Sequence, residues 1–198
     1  MPERMNLEPR VLEGEHVRLE PAAPGHREAM REALNVSPEI WEIYSSSGHG
    51  DHFPAFWDKM VGTPGRIAFA VWDKASGRLA GTSSFLRIEP DHRTLEIGFT
   101  FFRPEFRGTQ VNPEAKLLML GEAFGAGALR VQFNVDTRNA RSQAAVAKLG
   151  AVREGVIRRH IITWTGHQRD TAMFSIIDSE WGEVREKLRQ RLRQQPPT

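Results

Sequence analysis

The chain has 198 residues, 39% of them hydrophobic and 26% charged, the composition of an ordinary globular chain long enough to bury a core without staples. It contains no cysteine, which excludes disulfides, thiolate metal sites and a cysteine nucleophile. The net charge of +2, with arginine dominating the bases, fits an anionic ligand such as a nucleotide phosphate. It equally fits a solvated surface, and it is too small to argue for nucleic acid.

Residues 1–6 carry no apolar signal region, and no stretch approaches the apolar length of a membrane span. The expectation is one cytoplasmic domain over residues 1–198, with loose ends at about 1–10 and 194–198 and no membrane partner. Residues 16–21 alternate, with Val17 and Leu19 on one face, and read as a strand. Residues 24–34 read as a helix. Ser37-Pro38-Glu39 supplies a cap, a first-turn proline and an acid, so a second helix is expected through Trp41 and Tyr44. Phe53, Phe56 and Trp57 mark another short helix.

The pattern then changes to period two. Ile67, Phe69 and Val71 alternate, 73–77 is a turn, 79–88 a second strand, and 90–93 a second turn. Leu95, Ile97, Phe99 and Phe101 alternate in a third, and the three form an antiparallel meander. A helix is expected over 112–124, with Leu117, Leu120 and Phe124 on one face and Gly125 and Gly127 at its stop. A strand at 130–135, a helix at 139–149, strands at 152–159 and 168–177, and a helix at 180–192 complete the chain. The order is a mixed α/β layer structure and not a regular alternation.

Two segments carry chemistry. Residues 102–116 lead a strand through a turn into a helix start, where backbone N–H groups and a partial positive charge suit phosphate. Arg107 adds a bidentate cation and Gly108 a close backbone approach, although a plain turn capped by Asn112 explains the same residues. The second segment is Asn139-Ala140-Arg141-Ser142 followed by Lys148-Leu149-Gly150, in which Asn139 also reads as a helix cap.

Together, in this order, these segments resemble the GCN5-related N-acetyltransferase superfamily, and most closely its ribosomal-protein N-terminal acetyltransferase-like branch. The resemblance begins at residues 12–19 and runs through Leu95-Glu96-Ile97-Gly98 and Arg107-Gly108-Thr109 to Gly150. It implies a strongly bent, splayed mixed sheet flanked by helices, with acetyl-CoA in the splay and an amine acceptor. It implies a pyrophosphate cradle at Arg107, Gly108, Thr109, Gln110, Val111 and Asn112. Phe99 and Thr100, at the end of the preceding strand, and Asn139 and Arg141, at the next helix start, are implied to line the cofactor, with Ser142 near its sulfur. Gln110 and Asn112 stand where the family has small residues, and Pro113 removes an N–H. Val146 stands where many members have a tyrosine acid, and the chain's one tyrosine is Tyr44. The acid is then Ser142 or water.

Glu96 lies in an apolar strand, on the face opposite Leu95, Ile97 and Phe99. A carboxylate there is either used in catalysis or paired, with Arg87 or Arg93 as partner. His92, His160 and His167 are alternative bases. The histidines show no metal-ligand spacing, so no metal is expected. Trp41, Tyr44, Phe53, Phe56 and Trp57 wall an acceptor cleft or fill a core. The chemistry implied is direct attack of a neutral amine on a thioester, with Glu96 as base. A non-catalytic module of the same fold is the rival. A basic tail at residues 185–193 is interleaved with glutamates and carries no stacking aromatics, so no nucleic acid is expected. Acceptor identity and oligomeric state stay open, a homodimer among the options.

Overall fold

The computed structural model describes residues 4–36 and 38–194. The Ser37 cap and the outermost residues of both expected loose ends lie outside these. Among the described residues, eight strands form one sheet in the order β1-β2-β3-β4-β5-β6-β8-β7. They are β1 (Leu12–Glu13), β2 (Val17–Pro21), β3 (Ile67–Asp73), β4 (Arg78–Glu89), β5 (Thr94–Phe102), β6 (Arg130–Asp136), β7 (Val152–Ile162) and β8 (Gln168–Ile177). The meander is β3–β4–β5, antiparallel as expected. β1 is two residues long, too short to show a period in the sequence.

Among the described residues, five α-helices flank the sheet: α1 (Arg27–Leu34), α2 (Phe53–Gly62), α3 (Val111–Gly125), α4 (Ala140–Lys148) and α5 (Asp178–Gln194). The expected helix through Trp41 and Tyr44 is a 3-10 segment, Pro38–Ile43. Trp41 anchors it by donating its indole N–H to the Leu34 carbonyl at 3.2 Å. On one face of the sheet, α1, α2 and Trp41 pack on Ala68, Ala70, Leu79 and Phe101. On the other, α3, Val146 of α4 with Leu149 just after it, and Val184 and Leu188 of α5 close over Phe69, Phe85, Leu95, Ile97 and Val131. Trp41, Phe53, Phe56 and Trp57 are therefore core. The inner side of α3 is Ala115, Met119, Leu120 and Ala123, with Leu117 and Phe124 only partly buried beside it. The expected Leu117–Leu120–Phe124 stripe is thus rotated toward α5, because Phe124 stacks on Trp181 at 5.4 Å.

All strand pairs are antiparallel except β5–β6, which is parallel and joins only at Thr94, Leu95 and Glu96 against Arg130, Val131 and Gln132. Beyond Glu96, β5 pairs with β4 alone and β6 with β8 alone. This is the splay. A bulge places Phe99 and Thr100 opposite the single residue Ser83, with Phe99 at φ +50°. The bulge reverses the side-chain alternation. Leu95 and Ile97 face the α3 side, whereas Phe101 joins the α1–α2 side. Phe99 follows Phe101 and does not share a face with Leu95 and Ile97, which corrects the simple alternation.

One carboxylate locks α3 to the sheet. Glu114, 5% exposed, accepts the backbone N–H groups of Glu15 at 2.9 Å and of His16 and Val17 at 2.7 Å each. Glu114→Ala strands these donors, each worth about 1–3 kcal/mol when buried. Urea denaturation should show a loss of at least about 2 kcal/mol, with Glu114→Gln between the two. An unchanged midpoint for Glu114→Ala would refute the locking role.

Candidate active site

The splay opens a cavity of about 510 Å³. Its walls are the diverging ends of β5 and β6, the β5–α3 turn, the first turns of α3 and α4, and Tyr44. Of the residues singled out from sequence, Glu96, Phe99, Thr100, Arg107, Gly108, Thr109, Asn112, Asn139, Arg141 and Ser142 line it. Gln110 and Val111 do not: both are buried, and Val111 belongs to the core. None of His92, His160 and His167 lines it. No group of three or more His, Asp or Glu that could hold a metal occurs among the described residues.

The β5–α3 turn is built by short-range bonds. Gly108 sits at φ +80°, a left-handed conformation that glycine adopts without strain. The Thr109 hydroxyl donates to the Phe106 carbonyl at 2.8 Å and accepts the Val111 N–H at 3.3 Å. The helix starts at Val111 after Gln110, so Asn112 lies in the first turn and is not the cap. Its side chain reaches the cavity wall.

Arg107 donates from Nε to the Phe102 carbonyl at 3.1 Å, and its guanidinium lies 6.0 Å from the Phe101 ring centre. Its Nη2 is buried without a hydrogen-bond partner. Burial, then the Arg141 charge across the cavity, lower its pKa. The cavity wall thus carries two cations that repel each other, one with an unmet buried donor. Lys148 and Arg191 line the same cavity and add to its positive side.

Asn139 caps α4, its Oδ1 accepting the Ser142 N–H at 2.9 Å. The cap reading is correct, and Asn139 also lines the cavity.

Glu96 is 7% exposed. It accepts from Asn134 Nδ2 at 2.7 Å and lies 3.7 Å from Arg87 Nε. Burial raises its pKa, against the opposing pull of Arg87 and Asn134. The pairing expected from the sequence is present, with Arg87 as the partner, and the carboxylate also lines the cavity. Gly98 makes room for it, because a Cβ there would stand 2.8 Å from Glu96 Oε1.

Two further wall residues stand outside the site set assigned from sequence. Tyr44, alone of the five aromatics expected to wall a cleft or fill a core, lines the cavity. It donates its hydroxyl to the Thr100 carbonyl at 2.6 Å, and burial pushes its pKa up to about 12. It follows a 3-10 turn with no periodicity to read. Lys116 on α3 is buried and its pKa is lowered by burial to about 7. Sequence reasoning misses it, because it reads as one more surface base on a helix. A wider groove, about 770 Å³, runs on the outer side of α3 against α5 and β1. It shares no lining residue with the splay.

Residues 16–152 match the acetyltransferase (GNAT) domain family. Among solved structures, a GCN5-related N-acetyltransferase from Brucella melitensis is 30% identical over 96% of this chain and 88% of its own, with a TM-score of 0.90. A T. thermophilus protein classed as an acetyltransferase is 38% identical over 95% and 100%, with a TM-score of 0.87. RimJ from Mycobacterium smegmatis, solved with CoA-disulfide, is 17% identical over 92% and 95%, with a TM-score of 0.78, a likeness of fold. No curated protein matches the sequence.

Asn139→Ala removes the one side-chain cap of α4 and should lower unfolding free energy by about 1 kcal/mol. Thermal denaturation checks this, and an unchanged melting temperature would show that the cap contributes nothing.

Proposed function

We propose, from the premise that this chain belongs to the GNAT acetyltransferase family, that acetyl-CoA lies in the splay and a primary amine attacks its thioester beside Glu96. The acetyltransferase activity follows from family membership. The placement is supported above all by Arg107, whose buried Nη2 has no partner while Arg141 repels it across the cavity. A pyrophosphate between them satisfies the donor and removes the repulsion. Gly108 lets the backbone approach, and the helix start of α3 adds its partial charge.

Past Glu96, the facing edges of β5 and β6 have no strand partner. Their backbone groups can take the amides of an extended pantetheine arm, with Asn139 at its side. The reacting end then lies toward Glu96. A carboxylate whose pKa is raised by burial can take a proton from an ammonium acceptor and release it to water. Amine attack on the carbonyl needs no covalent enzyme intermediate. Backbone N–H groups at the Phe99–Thr100 bulge, where the regular ladder to β4 is broken, are the proposed donors to the oxyanion. The Ser142 hydroxyl lies on the wall where the leaving sulfur is drawn. The acceptor is an amine of a protein N-terminus or of a small molecule. The cytoplasm, where acetyl-CoA is met, is the proposed compartment. No helix among the described residues is long and apolar enough to cross a membrane.

The experiment is calorimetry with acetyl-CoA, followed by thiol release across a panel of amines. Arg107→Ala should weaken binding about 10-fold or more, the loss of one charge-assisted contact of about 1.5–3 kcal/mol. Glu96→Gln should bind acetyl-CoA normally and lower kcat about 100-fold. The wild-type rate should rise with pH through the Glu96 pKa, above the ordinary carboxylate range, because only the ionised form is a base. That acidic limb should vanish in Glu96→Gln. A folded Glu96→Gln protein with wild-type kcat would remove Glu96 as the base.

A further inference from the structure

Lys116 is a buried amine on α3 with no carboxylate at ion-pair distance among the described residues. Its Nζ lies 2.9 Å from Ser83 Oγ and 2.6 Å from Thr100 Oγ1. The two hydroxyl oxygens are themselves 2.8 Å apart. This closed triangle fixes a proton inventory. An ammonium donates to both oxygens. One hydroxyl then donates to the other, and the remaining hydroxyl hydrogen has no acceptor within the triangle. Ser83 is fully buried, whereas Thr100 lines the cavity. The arrangement in which Ser83 donates to Thr100 turns the Thr100 hydrogen toward the cavity.

A buried, unpaired ammonium is costly, and its retention at a cavity wall points to use. The structure assigns Thr100 as the proton donor to the sulfur of the leaving thiol, and Lys116 as the reservoir that refills it. This rests on the reading that the thioester lies in this cavity. As the carbon–nitrogen bond forms and the carbon–sulfur bond breaks, the electron pair stays on sulfur. Sulfur takes the Thr100 hydroxyl hydrogen, and Thr100 takes one from Lys116 Nζ. Lys116 is left as a neutral amine and recovers a proton from solvent. The proton shed by the acceptor leaves through Glu96. The sum is thioester plus amine to amide plus thiol.

The direction is downhill. Burial brings the Lys116 ammonium to about 7, whereas a cysteine-like thiol titrates near about 8.5. An ordinary lysine would hold its proton against the thiolate. The charged and titratable groups on the surrounding elements are Arg66 before β3, Glu96 on β5, Arg107 in the turn, Asp136 on β6, which is paired with Arg138 at 2.8 Å, Arg141 and Lys148 on α4, Arg191 on α5 and Tyr44. Arg66 is occupied with Ser84 Oγ at 3.1 Å, and Glu114 on α3 is held by the β1–β2 turn. None of them pairs with Lys116.

The test uses Lys116→Met, which keeps length and suits burial, and Thr100→Val, which keeps shape. Both should fold and bind acetyl-CoA as the wild type does. Each should lower kcat about 10- to 100-fold, at the low end of general-acid effects because water can substitute. The double variant should be little worse than either single one, as expected for one relay. Thr100→Ser should stay closer to wild type than Thr100→Val. Wild-type kcat should fall as pH rises through about 7, because the reservoir empties. That alkaline limb should be absent from Lys116→Met and kept in Ser142→Ala. A folded Lys116→Met protein that binds acetyl-CoA and keeps both its kcat and the limb overturns the relay alone. A loss in Lys116→Met without one in Thr100→Val also overturns it. Failure of the wild type to bind acetyl-CoA sinks the cavity reading and the relay together.

Discussion

Three residue pairs of parallel ladder, Thr94 to Glu96 against Arg130 to Gln132, hold the two halves of this sheet together. Everything distinctive follows from how soon that pairing ends. Each strand is satisfied on its outer side, β5 by β4 and β6 by β8, so parting costs only the shared edge. The open edges would be a liability on a surface, since unpaired strand groups invite another chain. Here they face each other across a cavity closed by α3, α4 and Tyr44. The bulge at Phe99 and Thr100 adds twist where the strands part.

Charge is distributed along that gap by position. Arg107, Arg141, Lys148 and Arg191 line it, and Arg107 carries an unmet buried donor. At the point of divergence sits Glu96, held by Asn134 and Arg87. Burial pushes the Glu96 carboxyl up from the ordinary carboxylate range and the Lys116 amine down to about 7. Both result from placing a charge in a low-dielectric wall with too few opposite charges beside it. The family's acid–base task needs such groups, and this chain lacks a tyrosine at the Val146 position.

Much of this was legible in the sequence, for identifiable reasons. The meander shows because β3 alternates the large Ile67, Phe69 and Val71 with small alanines, although both faces of β3 and most of β4 are buried, and the turns between carry glycine, proline and aspartate. The helix start at Asn139 shows because capping is a local bond. What failed to show was non-local. The alternation of Leu95, Ile97, Phe99 and Phe101 looks unbroken, because a bulge changes which face a residue takes without changing composition. The α3 stripe misplaces the inner face, since α5 covers the outer one and leaves little polar side to read. Glu114 and Lys116 look like surface charges until the β1–β2 turn and the Ser83–Thr100 pair are brought against them. Tyr44 belongs to the cavity only through a contact 56 residues away along the chain.

The central claim is that the parted edges of β5 and β6 receive the cofactor. Amide hydrogen exchange with and without CoA tests it directly, because a bound arm must cover backbone groups that now face the cavity. The account expects slowed exchange confined to the end of β5 around Phe99 and Thr100, to β6 beyond Gln132, and to the turn from Arg107 to Asn112. Protection on the groove between α3 and α5, with none along the splay, would contradict it.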